Sequence, residues 1–125
     1  MYASKQIPYL SRWGVTLETS IEPNKISMGQ KQLISGLRAL YLNKKVIMLD
    51  EISSGLDPEL EKAYRDLLHL LRERSMTIIV THRLETILEA DQVFLMDAGR
   101  VVAHGKHLQM MGIPAYQSFI EHLHS

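Results

Sequence analysis

Two adjacent carboxylates, Asp50 and Glu51, close the apolar run Val46-Ile47-Met48-Leu49. Side by side they repel each other and resist desolvation, so a divalent cation or solvent is needed to offset their charge. Four apolar residues ending so abruptly read as a buried parallel strand, flanked by helices on both faces, whose C-terminal edge opens on a polar site. That edge is where open α/β sheets bind ligands. The plainer alternative is a strand running into an exposed acidic turn. A second group, Ser27-Met28-Gly29-Gln30, stands just ahead of a helical stripe. A Ser/Gly turn opening a helix aims free backbone N–H groups and the positive end of the macrodipole outward, which suits a phosphate. Gly29 allows close backbone approach and the Ser27 hydroxyl adds a donor; the alternative is a simple N-cap. His82 follows the run Met76-Thr77-Ile78-Ile79-Val80. Taken alone, a histidine at a strand end is more often structural than functional.

The elements that must position these groups can be read from periodicity. Residues 1–25 are interrupted by Pro8, Gly14 and Pro23 and predict a short helix near 5–12, then an irregular stretch to Asn24-Lys25. Apolar residues at 33, 34, 37, 40 and 41 predict a helix capped by Ser27. Gly36 inside it costs roughly 1 kcal/mol against alanine, which calls for another element packed closely there. After Glu51 comes the loop Ile52-Ser53-Ser54-Gly55-Leu56-Asp57-Pro58, with Asp57 placed as N-cap and Pro58 at the first helical position. The helix from Pro58 to about Arg74 carries a leucine stripe over 60–71 and leads into the Met76–Val80 strand, making a βαβ unit. Beyond it lie a short helix over 84–90, a hairpin of Gln92–Met96 and Arg100–His104 turning at Asp97-Ala98-Gly99, and a tail of one or two helices interrupted at Gly112–Pro114.

Composition bounds the class. The 125 residues are 46% hydrophobic and 22% charged, a globular segment of at most one domain with a modest core. Lys plus Arg (14) balance Asp plus Glu (14), so no global charge argues for nucleic acid or an acidic surface. The absence of cysteine excludes a disulfide scaffold and a thiolate metal site. No apolar run approaches a membrane span, and the N-terminus lacks a signal-peptide pattern. His69, His104, His107, His122 and His124 lack ligand spacing and are expected at the surface. The leucine stripe and methionines 48, 76, 96, 110 and 111 are expected in the core or between helices.

In order and spacing, these segments resemble the C-terminal half of the nucleotide-binding domain of ATP-binding cassette (ABC) transporters. Ile26-Ser27-Met28-Gly29-Gln30 resembles the LSGGQ signature, Val46 to Asp50 the Walker B strand with Glu51 after it, Ser54-Gly55-Leu56-Asp57 the D-loop, and His82 the switch histidine. The resemblance implies an α/β fold, a partial P-loop NTPase (ABC ATPase) with three layers, a mostly parallel sheet and a remnant of the helical subdomain, the Walker A strand missing. It divides the chain into 1–45 (helical-subdomain remnant with the signature), 46–105 (core α/β) and 106–125 (C-terminal helical tail). It implies ATP and Mg²⁺ as cofactors. Asp50 then holds the metal through water, Glu51 orients and deprotonates the attacking water, and His82 contacts the γ-phosphate. Ser27, Met28, Gly29 and Gln30 face nucleotide held by the other subunit of a head-to-tail dimer, and Asp57 crosses that interface. The implied partners are a second nucleotide-binding domain and a transmembrane domain at the cytoplasmic face of the cell (inner) membrane. The function implied is the hydrolytic part of a transporter, with no nucleic acid.

Two departures stand out. Met28 replaces the first glycine of the GG pair, which is tolerable if its φ is negative. No GxxxxGK[ST] phosphate loop occurs in the sequence, and neither the glutamine loop nor the adenine-stacking aromatic is present. The chain alone is therefore expected to bind ATP poorly and hydrolyse it negligibly, and to be marginal, self-associating or dependent on a missing N-terminal part because a hydrophobic sheet edge is left bare. It reads as part of a longer transporter protein. Thr81-His82-Arg83-Leu84, Glu18-Thr19 and the hairpin with Gly105 lean toward exporters, while Asp57-Pro58-Glu59 is also frequent in importers. The alternative function is a non-catalytic fragment docking on an intact nucleotide-binding domain.

Overall fold

The structure, a computed structural model, describes residues 5–16, 18–51 and 56–124. It divides into two compact units, Met1–Ile79 and Val80–Ser125.

In the first unit, helix α1 (Pro8–Trp13) starts on its proline and stops at Gly14, whose φ of 72° is open to glycine at little cost. A 3₁₀ turn, Pro23–Lys25, leads to helix α2 (Met28–Leu42), which ends at Asn43 in the left-handed region with its N–H bonded to the Leu40 carbonyl. Strand β1 (Val46–Asp50), helix α3 (Pro58–Arg74) and strand β2 (Met76–Val80) complete the βαβ unit. The Met76 N–H donates to the Lys45 carbonyl at 2.9 Å, and Ser75 Oγ donates to the Lys44 carbonyl at 2.6 Å. The two strands therefore begin side by side after a helical crossover, which makes the pair parallel. The core joins Leu33 and Leu40 of α2 to Leu60, Ala63, Leu67 and Leu71 of α3, with Ile7, Leu10 and Ile47.

Three expectations need correction here. Among the described residues, strand β1 is covered on one face only: Ile47 is buried, but Val46 and Met48 are 53% and 78% exposed. Strand residues alternate sides, and among the described residues the leucine cluster reaches only one of them. Met48, Met76 and Met96 are exposed rather than core, and only Met110 of the five methionines is fully buried. Tyr41, placed on the apolar stripe of α2, is 83% exposed, while Gly36 takes a place in the buried row. The reason is that α2 presents the line 33, 36, 40 to α3, and Tyr41 lies a further 100° round the helix.

In the second unit, helix α4 (Leu84–Leu88) precedes strands β3 (Val93–Asp97) and β4 (Arg100–Gly105). These pair antiparallel, from Val93↔Gly105 to Asp97↔Arg100, with an irregularity between Leu95 and Met96. The two-residue turn has positive φ at both Ala98 (46°) and Gly99 (75°), the backbone that matches the twist of a tight hairpin. Helices α5 (His107–Met110) and α6 (Pro114–His124) follow, separated at the predicted break. Ile87, Met110, Tyr116 and Ile120 form the buried cluster, with Val93, Leu95 and Ala103 packed on it. His107, expected at the surface, is instead half-buried, its Nδ1 lying 2.8 Å from the Tyr116 hydroxyl with the rings edge-on. Burial raises the pKa of the Tyr116 hydroxyl above its ordinary 10.0.

Candidate functional site

Helix α2 begins on a reciprocal capping box. Ser27 Oγ accepts from the Gln30 N–H at 3.1 Å, and Gln30 Oε1 accepts from the Ser27 N–H at 2.9 Å. The Ser27 hydroxyl proton is left to donate elsewhere. The Met28 and Gly29 N–H groups make no hydrogen bond among the described residues, so this end of α2 keeps two donors at the positive pole of the helix. Met28 opens the helix without a positive φ, as the departure from glycine required. Gln30 is held from both sides, since its Nε2 donates to the Tyr9 hydroxyl at 3.1 Å. This contact joins residues 21 apart in sequence, and no local pattern could have pointed to Tyr9.

Gly29 has a role the sequence did not reveal. A Cβ built on it would fall 2.6 Å from Leu60 Cδ2 and meet Leu56 Cδ2 as well, so this glycine admits the start of α3. Asp57 caps that start, its Oδ1 accepting from the Leu60 N–H at 3.0 Å and its carbonyl from the Glu61 N–H at 2.9 Å. Ser54 and Gly55, the first half of the D-loop likeness, lie outside the described residues.

The acid pair splits at the end of β1. Asp50 is exposed, and its carboxylate makes no ion pair or hydrogen bond among the described residues, while its carbonyl accepts from Gln32 Nε2 at 3.4 Å. Glu51 is only 6% exposed and is partnered. The two acids thus sit in different surroundings, Asp50 toward solvent and Glu51 within the protein. A solvent-facing carboxylate free of protein partners fits a hydrated divalent ion, which keeps several waters when bound by one carboxylate. Gln32, one turn into α2, is the second residue that motif reading passed over.

The first unit thus brings together the α2 start (Ser27, Met28, Gly29, Gln30) and the Asp57-capped start of α3, and ties β1's acidic end to α2 through Gln32. His82 stands in the second unit, exposed, between Thr81 and Arg83, where Thr81 Oγ1 accepts from the Arg83 N–H at 2.9 Å and tightens the bend. A small recess of about 140 Å³ beside α1 and α3 is lined by Arg12, Glu59, Lys62 and Asp66 among others. Those charges pair with one another (Arg12–Glu59 3.9 Å, Lys62–Asp66 3.0 Å) and leave no net binding character.

No family model matches the chain. Individual relatives do. The ATP-dependent lipid A-core flippase of Francisella tularensis subsp. tularensis (strain FSC 198) is 40% identical over 98 residues, 78% of this chain and 16% of the relative. That of Xanthomonas euvesicatoria pv. vesicatoria (strain 85-10) is 37% identical over 111 residues, 89% of this chain and 18% of the relative. Multidrug resistance protein 1 of Entamoeba histolytica is 40% identical over 93 residues, 74% of this chain and 7% of its own length. The chain therefore spans less than a fifth of the length of these relatives. Among solved structures, a bacterial Atm1-family ABC exporter with ATP bound matches 99% of this chain and 23% of its own, with a TM-score of 0.77 at 24% identity, a likeness of fold. Together with the motif order, these matches assign the chain to the ABC exporter family, as a segment of its nucleotide-binding domain.

Proposed function

We propose that this segment supplies the signature surface and the hydrolytic acids of an ATP-driven exporter, acting with a phosphate loop and a transmembrane domain carried by other parts of the protein. The supporting observation is the one end of the first unit at which a doubly hydrogen-bonded Ser27/Gln30 cap, two N–H groups unpaired among the described residues and the Asp57 cap are packed together. In this reading the Ser27 hydroxyl and the Met28 and Gly29 amides face the γ-phosphate bound by a second nucleotide-binding domain. Asp50 holds Mg²⁺ through water; the ion, when bound, neutralises charge on the phosphate oxygens. Glu51, drawn out of bulk solvent, orients the attacking water and takes its proton. His82 reads the γ-phosphate from the loop after β2, and Asp57 adds its carboxylate at the domain interface. Residues 1–45 then belong to the helical subdomain, 46–105 to the catalytic core and 106–125 to a C-terminal tail. No helix among the described residues is long and apolar enough to cross a membrane, so membrane attachment is assigned to the transmembrane partner.

The test is phosphate release from ATP by this chain, alone and mixed with a separately produced phosphate-loop half. Hydrolysis in the mixture only, abolished by Glu51→Gln, is the expected result. Stable association of the two halves with no hydrolysis under any condition supports the non-catalytic docking fragment instead.

A further inference from the structure

The two glycines of α2 that admit neighbours are Gly29 and Gly36, seven residues apart; besides Leu56, which also meets Gly29, the α3 leucines they admit, Leu60 and Leu67, are also seven apart. Seven residues advance a helix by about 10.5 Å and return nearly to the same face. The pairs 29/60 and 36/67 therefore run in the same direction with one constant offset, and α2 and α3 lie parallel with their starts at the same end. A Cβ on Gly36 would collide with Leu67 Cδ2 and lie 3.3 Å from Leu67 Cγ. Leu67 is fully buried and Leu60 nearly so, at 0% and 4% exposure, so neither knob has space into which to retreat. A slide of α2 along α3 would drive each leucine out of its notch and into the next turn of α2.

We infer that Gly29–Leu60 and Gly36–Leu67 form a two-point latch that sets the axial register of α2 on α3, and that Leu67 and Gly36 are positioning residues for the Ser27–Gly29 turn. This rests on the phosphate-facing reading of that turn given above. Two turns from the cap, Gly36 and Leu67 act on the phosphate site only through the place at which α2 begins. The cap hydrogen bonds hold the shape of the turn; the latch holds its position relative to Asp57 and, through Gln32, to the Asp50 end of β1.

The experiment compares Gly36→Ala, Leu67→Ala and the double substitution in the chain completed with its phosphate-loop half. Gly36→Ala is expected to lower kcat about tenfold or more, since displacements near 1 Å carry penalties of that order. KM for ATP should stay within about twofold, and adding Leu67→Ala should restore kcat to within about threefold. Independent losses that multiply in the double variant, with no rescue, overturn the latch. A second readout uses the absence of cysteine: spin labels on Lys31→Cys and Glu61→Cys report the spacing of the two helix starts. Gly36→Ala should shift that spacing, Leu67→Ala alone should broaden it, and the double variant should bring it back toward the parent value. A spacing indifferent to all three overturns the latch. If the spacing responds as expected while the parent protein hydrolyses no ATP, the latch is supported and the phosphate reading fails.

Discussion

Helices α2 and α5 open on the same device, a glutamine whose Oε1 reaches back to the backbone N–H three residues earlier: Gln30 to Ser27 at 2.9 Å, Gln109 to Lys106 at 3.1 Å. Only the first is reciprocated. Ser27 carries an oxygen that accepts from the Gln30 N–H, whereas an ammonium has no lone pair to offer, so Lys106 leaves its helix half capped. Helix α2 runs for 15 residues and α5 for 4. The same contrast extends to the cores. The first unit is held by aliphatic side chains seated against glycines, an arrangement that sets position through shape. The second centres on one buried ring, Tyr116, whose hydroxyl is tied to His107 and so sets position through direction. The lesson is that the unit bearing the acids and the signature turn is organised by close fit, and the C-terminal unit by an apolar cluster around a ring held through its hydroxyl.

This contrast can be broken in several ways. The largest effect follows from the proposed function: in the chain completed with its phosphate-loop half, Glu51→Gln should cut ATP turnover by about 10²–10⁴-fold without loosening the leucine core, measured as phosphate release beside urea unfolding. Leu67→Ala should destabilise the first unit by about 2–5 kcal/mol, because a fully buried leucine leaves a cavity between two helices that cannot collapse onto it. Ser27→Ala should cost about 1 kcal/mol and speed amide exchange in the first turn of α2, through loss of the accepting oxygen. The matching change at Lys106, to alanine, should cost less, there being no side-chain acceptor to remove.

Tyr116→Phe should cost about 1 kcal/mol, through the lost bond to His107, while keeping the ring in place. It should also remove a pH dependence of the second unit. The folded-state pKa of Tyr116 is raised above 10.0, so the unfolded chain gives up this proton first; the stabilisation is complete below about pH 10 and is lost as pH climbs beyond it. Hydrogen exchange of α6 followed from neutral to alkaline pH checks the sign. Exchange of α6 indifferent to pH over that range, or unchanged in its pH response by Tyr116→Phe, would contradict the assignment to Tyr116.

Much of the fold was legible locally. The Asp57-Pro58 start and the Arg74 end of α3, the Met76–Val80 strand and the break before Pro114 all lie where cap chemistry and periodicity placed them. The candidate site was legible as motifs, because each short segment carries its own cap or strand end. The close neighbour that Gly36 called for is there, in Leu67; what escaped were other features that depend on a distant partner: the Tyr9–Gln30 bond, the Gln32 contact to Asp50, the unequal burial of Asp50 and Glu51, and the exposed Met48 and Tyr41. An apolar residue in a strand looks the same in sequence whether or not a layer covers it.

The residue order alone determined which helices and strands form, where they start and which side chains stand at their ends, since capping, proline geometry and hydrophobic period act within a few residues. The sequence asked for a close neighbour at Gly36 but only the tertiary structure decided which: both Gly29 and Gly36 have ordinary helical backbone, and it is Leu60 and Leu67 of α3, with Leu56 just ahead of it, that occupy the space where a side chain would begin.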